Sequence, residues 1–156
     1  MEGSEFMKKK GFTLIELLAV IVIIATIGLI ATPLIMNVID EAKKGAFKNT
    51  AYGIVSAGEL KYAQDILSGT EEETTFTYVN GVETSNSLGK QLEYKGSKPK
   101  NGTVKVNNEG QVSLAIHDGK YCAKKNYAES TVSIIEKTQE ECVLEETPEI
   151  TYEYYN

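Results

Sequence analysis

Residues 11–36, GFTLIELLAVIVIIATIGLIATPLIM, decide the fold of this chain. The run is apolar apart from a few Thr, Gly and Pro residues, and it carries one charged side chain, Glu16. As a helix, residues 12–36 span roughly 37 Å, more than the hydrocarbon core of about 30 Å in a typical bilayer. Three lysines at positions 8–10 precede the run, and the positive-inside bias places that end in the cytoplasm. The sequence therefore predicts one membrane-spanning helix, with everything after Asn37 on the outer side.

Glu16 is the unusual residue of this run. A carboxylate at membrane depth costs on the order of 2.5–3.5 kcal/mol, so such a group normally has a partner and a function. No Lys, Arg or His occurs between Phe12 and Asp40, so the helix itself supplies no cation. The residues leave several partners open: headgroups, water, a main-chain group, or a cation on a neighbouring copy. One such cation is a new α-amino group made by cutting the chain nearby.

Residues 8–16, KKKGFTLIE, resemble the class III signal of type IV prepilins and pseudopilins. That family has a short basic leader, a glycine, a hydrophobic residue, then Thr-Leu-Ile/Val-Glu and an apolar helix; the resemblance extends over residues 8–33. It implies cleavage by a prepilin peptidase between Gly11 and Phe12, followed by N-methylation of the Phe12 amine. It also implies that Glu16 pairs with the Phe12 amine of an adjacent subunit and sets its register during assembly.

A proline and a glycine weaken the second half of the apolar run. Pro33 lies where many of the resembling pilins carry a helix-kinking proline, and an interior proline removes one hydrogen bond and clashes with the preceding turn. Gly28 has low helix propensity. In the resembling pilins this segment loses helicity when subunits pack, which Gly28 and Pro33 would favour. A passive kink in a continuous helix is the equally weighted alternative.

The helix is predicted to continue beyond the apolar run as an amphipathic segment. Charged residues, Asp65 among them, occupy its polar faces, and Ser68-Gly69 ends it with Gly69 as a C-cap. The apolar positions recur at spacings of three and four residues and form one stripe. They are Phe47, Ala51, Ile54, Val55, Gly58, Tyr62 and Ile66.

The domain organisation follows from these segments. Residues 1–6 contain Gly-Ser and Glu-Phe, which common cloning sites encode, and we interpret them as vector-derived. Residues 7–11 are the basic leader, residues 12–36 the transmembrane and assembly helix, and residues 37–68 the amphipathic half of the spine. Residues 69–156 are predicted to form a globular head.

Alternating residues and turn signals predict an antiparallel sheet in the head. Strands are predicted at 75–79, 103–106, 111–116, 120–123 and 131–136, with turns at 107–110 and 117–119. Residues 86–94 are interpreted as a helical turn, and residues 149–155 as an edge strand or a tail. A sheet with one apolar face should pack on a helix with one apolar stripe. The predicted class is α+β, a long N-terminal helical spine on a small antiparallel sheet, which is the pilin fold.

Two cysteines, Cys122 and Cys142, are the only ones in the chain, and there is no CxxC motif. On the outer side of a membrane a disulfide is the default. It would close a loop of about 21 residues and contribute roughly 3 kcal/mol in the chain-entropy model. The pair resembles the C-terminal disulfide of Gram-negative pilins. With one His in the chain there is no plausible zinc set, and the sequence predicts no metal and no cofactor.

No catalytic site is predicted. His117, Asp118 and Ser113 are close in sequence, but Asp118-Gly119 belongs in a hairpin turn and no nucleophile motif such as GxSxG is present. The net charge of −6 argues against a dedicated nucleic-acid site, which would present a basic face. All basic residues are lysine, which favours an AT-rich genome such as that of a low-GC Gram-positive bacterium.

The resemblance implies a structural subunit of a type IV pilus that is not an enzyme. Its implied partners are other copies of the chain through the N-terminal helix, the prepilin peptidase, the assembly platform and its ATPase, and the membrane before assembly. The implied location is the cytoplasmic membrane, then an extracellular filament for adhesion, motility or biofilm. The alternatives are a pseudopilin of a type II secretion or DNA-uptake system, or a membrane-anchored binding domain that never polymerises.

Overall fold

A computed structural model describes residues 11–70, 72–85 and 91–144 of the chain. Within these ranges, a single helix is followed by six strands. They are α1 (Leu14–Leu67), β1 (Thr74–Val79), β2 (Val82–Ser85), β3 (Asn101–Val106), β4 (Val112–His117), β5 (Tyr121–Lys125) and β6 (Ser133–Glu136). The strands form one antiparallel sheet in the order β2-β1-β3-β4-β5-β6. The predicted α+β class, a long N-terminal helix packed on an antiparallel sheet, is confirmed.

The chain divides into two compact units at residue 41. In the first unit, residues 14–41 form the first part of α1, and its large hydrophobic side chains are exposed. In the second unit, residues 42–67 of α1 pack on the sheet and form the head. The predicted boundaries of the leader and of the two helix halves stay predictions.

The core of the head joins the stripe on α1 to one face of the sheet. Ala51 and Ile54 of the helix are fully buried, as are Phe76, Leu114 and the other inward side chains of the central strands. Gly58 packs tightly on the sheet, because a Cβ atom there would stand 2.9 Å from Val112 Cγ2. A side chain at this position would force the helix away from β4.

The last turn of the stripe differs from the prediction. Asp65 is buried, whereas Ile66 is 44% exposed. Phe47 and Asp65 are separated by five turns at about 3.6 residues per turn, so Asp65 returns to the buried line that Phe47 begins. Ile66 lies about 100° further around the helix. The prediction placed Ile66 on the buried stripe because it follows Tyr62 by four residues, and this assignment is wrong.

Gly69 ends α1 as predicted. Its φ is +77°, the left-handed conformation that glycine adopts without strain. The Thr70 N–H donates to the Asp65 carbonyl at 2.9 Å, and the Gly69 N–H donates to the Ile66 carbonyl at 3.0 Å. These two bonds form a Schellman motif, which satisfies carbonyls that the helix end leaves without partners.

The first hairpin contains a strand that the sequence patterns did not predict. Asn80 and Gly81 both have positive φ, +52° and +79°, and Val79 pairs with Val82 across a two-residue turn. This is the geometry that Asn-Gly favours between antiparallel strands. Of residues 86–94, the described residues 91–94 are not helical, so that prediction is wrong for them. The predicted strand or tail at 149–155 lies outside the described residues.

The central strand β4 is buried on both faces, contrary to the prediction of one apolar face. Val112, Leu114 and Ile116 face the helix core, whereas Ala115 belongs to a second, smaller cluster. That cluster contains Cys122 and Cys142, with Ile135 and Leu144 packed against it. The residues that follow β6 therefore cover the side of the sheet opposite the helix.

Candidate functional site

The segment that carries the predicted cleavage position lies ahead of α1. Gly11, Phe12 and Thr13 have no helical conformation and are exposed, and the Phe12 side chain is 85% accessible. The helix begins at Leu14. The Gly11–Phe12 peptide bond is thus outside regular secondary structure.

Thr13 and Glu16 form a capping box that starts the helix. The Thr13 N–H and hydroxyl both donate to Glu16 Oε2, at 2.8 and 2.7 Å. In return, the Glu16 N–H donates to Thr13 Oγ1 at 3.3 Å. Each residue satisfies a backbone N–H that the first turn of a helix leaves without a partner. The negative charge of Glu16 is also favourable at this positive end of the helix dipole.

The capping box answers part of the question that the sequence left open about Glu16. Among the alternatives, a main-chain group of its own chain is a partner, together with the Thr13 hydroxyl. The signal was visible in the sequence, because Thr13-Leu14-Ile15-Glu16 has the Thr-x-x-Glu spacing of a capping box. Interpreting Glu16 only as a charge among apolar residues missed this role.

The apolar part of α1 has no cover within the described chain. In the most apolar 18-residue stretch of α1 the mean hydropathy is 2.9, and no residue of this stretch is buried. By length and composition, α1 could cross a membrane. Large exposed apolar surfaces on proteins mark contacts with membranes or with other chains. This surface therefore calls for a partner that the described residues do not supply.

The helix continues through Pro33, so the proline does not end it. Directly before it, the Thr32 hydroxyl donates to the carbonyl of Gly28, about one turn back along the helix, at 2.6 Å. Such back-bonding by Thr tends to bend helices. Nothing lies within 4 Å of the position that a Gly28 Cβ would take. The kink and the loss of helicity at Gly28 and Pro33 stay predictions.

The structure joins Cys122 of β5 to Cys142, with their Cα atoms 5.6 Å apart. Two further bonds hold the loop between β6 and Cys142. Asn101 Nδ2 donates to Gln139 Oε1 at 2.8 Å, and His117 Nε2 lies 2.9 Å from the Lys137 carbonyl. The disulfide thus closes a loop that is also tied to the ends of β3 and β4.

His117 and Asp118 serve the turn between β4 and β5. The Gly119 N–H donates to His117 Nδ1 at 3.0 Å, so the ring carries its proton on Nε2 and donates to Lys137. Asp118 Oδ1 accepts the N–H groups of Lys120 and Tyr121, both at 2.8 Å. Both residues are committed to backbone partners, which is the arrangement of a turn and not of a catalytic triad.

A buried carboxylate pins the head's first hairpin to the segment after residue 90. Glu83 is 7% exposed; Tyr78 donates its hydroxyl to Oε2 at 3.1 Å, and the Leu92 N–H donates to Oε1 at 2.7 Å. Burial raises the pKa of Tyr78 far above its ordinary value, and it raises the pKa of Tyr94 as well. No local pattern in the sequence predicted this network.

Within the described ranges, no group of three His, Cys, Asp or Glu side chains could hold a metal ion.

Comparisons with known proteins agree with the geometry of the N-terminal segment. The family model for the prokaryotic N-terminal methylation motif matches residues 6–32. The chain is also similar to the prepilin peptidase-dependent protein A of Clostridium perfringens (strain 13 / Type A), with 31% identity over 120 residues. That similarity covers 70% of this chain and 86% of the relative. No solved structure gave a significant match.

Proposed function

Because the chain belongs to the pilin-like family of prepilin peptidase-dependent proteins that carry an N-terminal methylation motif, we propose that it is the structural subunit of a type IV pilus. The observation that carries this proposal is the methylation motif at the start of a helix whose apolar side chains have no cover in the described chain. A polymer of such helices would bury that surface. The function is structural and not enzymatic.

The first proposed step is removal of the leader between Gly11 and Phe12. Proteases act on extended, accessible chain, and both residues precede the helix and are exposed. The product would begin with Phe12, whose new α-amino group is then methylated by the prepilin peptidase. Before cleavage the subunit is anchored in the membrane by the apolar helix, with its N-terminus in the cytoplasm and its head outside.

Glu16 has the geometry to serve the next step without losing its capping role. Both hydrogen bonds from Thr13 go to Oε2. In the described ranges of the chain no hydrogen bond to Oε1 is present. We infer that Oε1 binds the Phe12 amine of an adjacent subunit while Oε2 stays with Thr13. An ion pair in this apolar setting is strong, because little water screens it.

Polymerisation would then pack the apolar helices into the filament core, with the heads on its surface. The assembly platform and its ATPase would extract subunits from the membrane, and Gly28 and Pro33 would ease the loss of helicity during packing. The filament would serve adhesion, motility or biofilm formation. A pseudopilin of a secretion or DNA-uptake system would use the same steps but make a short filament.

The test is to express the full chain, starting at Met7, together with a prepilin peptidase and a pilus assembly system. We expect an intact mass and an N-terminal sequence that begin at N-methylated Phe12, and filaments that can be sheared from the cell surface. Glu16→Ala should still be cleaved but should not assemble, whereas Glu59→Ala, an exposed glutamate on the same helix, is the matched control. Processing without surface filaments would favour the pseudopilin alternative. An uncut chain would overturn the proposal in favour of a membrane-anchored domain.

A further inference from the structure

A groove of about 400 Å³ lies at the end of the head where residue 42 connects to the apolar helix. It is formed by the start of the head's helical part, by the loop before β3 and by the turn between β4 and β5. Positive charge dominates its lining, although the whole chain carries a net charge of −6. The charged lining residues are Lys43, Lys98, Lys100, Lys120 and Asp118.

Most of this positive charge is not neutralised by the residues that the structure describes. Asp118 accepts two backbone N–H groups of its own turn, and Lys120 Nζ lies 3.2 Å from a Glu136 carboxylate oxygen. Lys43, Lys98 and Lys100 are exposed. In the described ranges none of these three makes an ion pair. The groove therefore presents a cluster of lysine ammonium groups to an external anion.

The opposite end of the head carries exposed carboxylates. Glu72 precedes β1, and Glu109 lies in the turn between β3 and β4; both are exposed. The strand register places them at the same end, because Thr74 pairs with Val106 and Val106 with Val112. The turn that holds Glu109 packs on the end of α1, where the Tyr62 hydroxyl donates to the Asn108 carbonyl at 2.8 Å. The groove lined by lysines and the two carboxylates Glu72 and Glu109 thus lie at opposite ends of one head.

We propose that the lysine groove binds the exposed carboxylates Glu72 and Glu109 of a second copy of this chain, so that heads contact one another end to end. This inference rests on the proposed filament function. Such a contact is heterologous: it leaves a groove free at one end and carboxylates free at the other, so repetition gives an open helical filament and not a closed dimer. Each exposed ion pair is weak, but the same contact recurs at every subunit.

Zero-length carbodiimide cross-linking tests the contact directly, because it joins amines to carboxylates that already touch. Filaments that contain both ¹⁴N- and ¹⁵N-labelled processed subunits are sheared, cross-linked and digested. We expect peptides of mixed label that link Lys98 or Lys100 to Glu72 or Glu109, with a yield that falls as salt is raised. Intact filaments without any such link between copies would overturn the proposal.

Charge exchange tests whether the contact matters for assembly. Lys98→Glu combined with Lys100→Glu should reduce sheared filaments at least about tenfold, since like charges facing each other across an interface are strongly unfavourable. Adding Glu72→Lys and Glu109→Lys to the same chain should restore them. Lys95→Glu with Lys105→Glu changes the net charge equally outside the groove and should leave filaments unchanged.

The outcomes separate this inference from the proposed function. All variants should still be processed to N-methylated Phe12, and the mass of the membrane-stored subunit reports this. Loss of filaments that the exchanged carboxylates do not restore would overturn the inference and favour an anionic polymer or a lipid phosphate as the ligand of the groove. Unchanged filaments in the Lys98 and Lys100 variant would also overturn it. Absence of wild-type filaments would overturn both proposals.

Discussion

Residues 14–41 and 42–67 of α1 share one backbone conformation but differ in what covers their apolar side chains. Ile24 in the first segment is 63% exposed, whereas Ile54 in the second is fully buried against the sheet. Up to Met36 the first segment is apolar all round apart from Glu16, and the second segment has one apolar stripe. The sheet of the head therefore covers the apolar side chains of the second half of the helix only. The apolar side chains of the first half have no cover within the described residues, as is typical of surfaces that contact a membrane or another protein chain.

The largest difference between the two segments should appear in a matched pair of truncations. Ile54→Ala should lower the free energy of unfolding of the head by about 2–5 kcal/mol, because it leaves a cavity in a packed core. Ile24→Ala should leave that free energy unchanged, since the side chain is mostly exposed among the described residues. Denaturant unfolding of the detergent-solubilised chain, followed by near-ultraviolet circular dichroism, measures both. Equal effects of the two substitutions would contradict the division into a self-covered and an uncovered segment.

Removal of the disulfide should also affect the head alone. Cys122→Ser with Cys142→Ser should cost roughly 3 kcal/mol in the same unfolding experiment, because the unfolded chain regains the freedom of the open loop. The double substitution avoids an unpaired thiol. Helicity of the apolar segment in detergent should not change. A loss of that helicity would show that the two segments are more strongly linked than we propose.

Glycines in the helix and at its end should respond in opposite directions. Gly69→Ala should destabilise the head by about 1–2 kcal/mol, because φ is positive there and alanine is strained in that conformation. Gly45→Ala is the matched control: the residue lies inside α1 with open space around it, and alanine should stabilise the helix by about 0.5–1 kcal/mol. Thermal unfolding of the two variants distinguishes them. A neutral Gly69→Ala would argue against the Schellman end.

A smaller and local effect is expected at the start of α1. Thr13→Ala should weaken the first turn by about 1 kcal/mol, because it removes the side chain that caps the helix, whereas Thr13→Ser should retain the cap. Hydrogen exchange of the Glu16 and Leu17 amides in detergent measures this fraying, since both donate to Thr13. Unfolding of the head should be the same in both variants. Equal protection in the Ala and Ser variants would rule out the capping role.

A rise in pH should leave the stability of the protein unchanged near neutrality. At alkaline pH it should destabilise the head alone. Burial raises the pKa of Tyr78, and it raises the pKa of Tyr127 to about 12, so both hydroxyls keep their protons longer in the folded than in the unfolded chain. Stability from these groups is complete below the unfolded value of about 10 and is lost as the pH rises above it. Residues 12–41 contain no tyrosine, so their helicity should persist. Absorbance at 295 nm and circular dichroism followed together would separate the two segments.

Much of the fold could be predicted because its signals are local. The apolar run, the stripe around Ile54 and the turn at 107–110 each specify their own structure. Strand β2 could not be found in this way, because its alternation is inverted: Val82 is exposed and Glu83 is buried. The second face of β4 is covered because the disulfide holds Cys142 next to Cys122. The spacing of apolar residues along the chain does not predict this contact.

The candidate site shows the same limit in a different form. Gly11, Phe12 and Glu16 could be singled out because they form a contiguous motif with known spacing. The use of one Glu16 oxygen by Thr13 was also encoded locally, but a capping box competes with many chance matches. The lysine groove combines residues from a helix, a loop and a hairpin turn, and only the folded sheet brings these together.

The strand order also bears on how a head becomes native. All but one of the neighbouring strand pairs in β2-β1-β3-β4-β5-β6 are consecutive in the chain, so the sheet grows mainly by successive hairpins. Pairings between nearby segments form rapidly, because little loop entropy is lost before each contact is made. A chain that is synthesised from its N-terminus can therefore complete the strands nearly in the order of their synthesis. From β3 onward, each newly paired strand presents the edge on which the next strand pairs, whereas β3 itself pairs with β1.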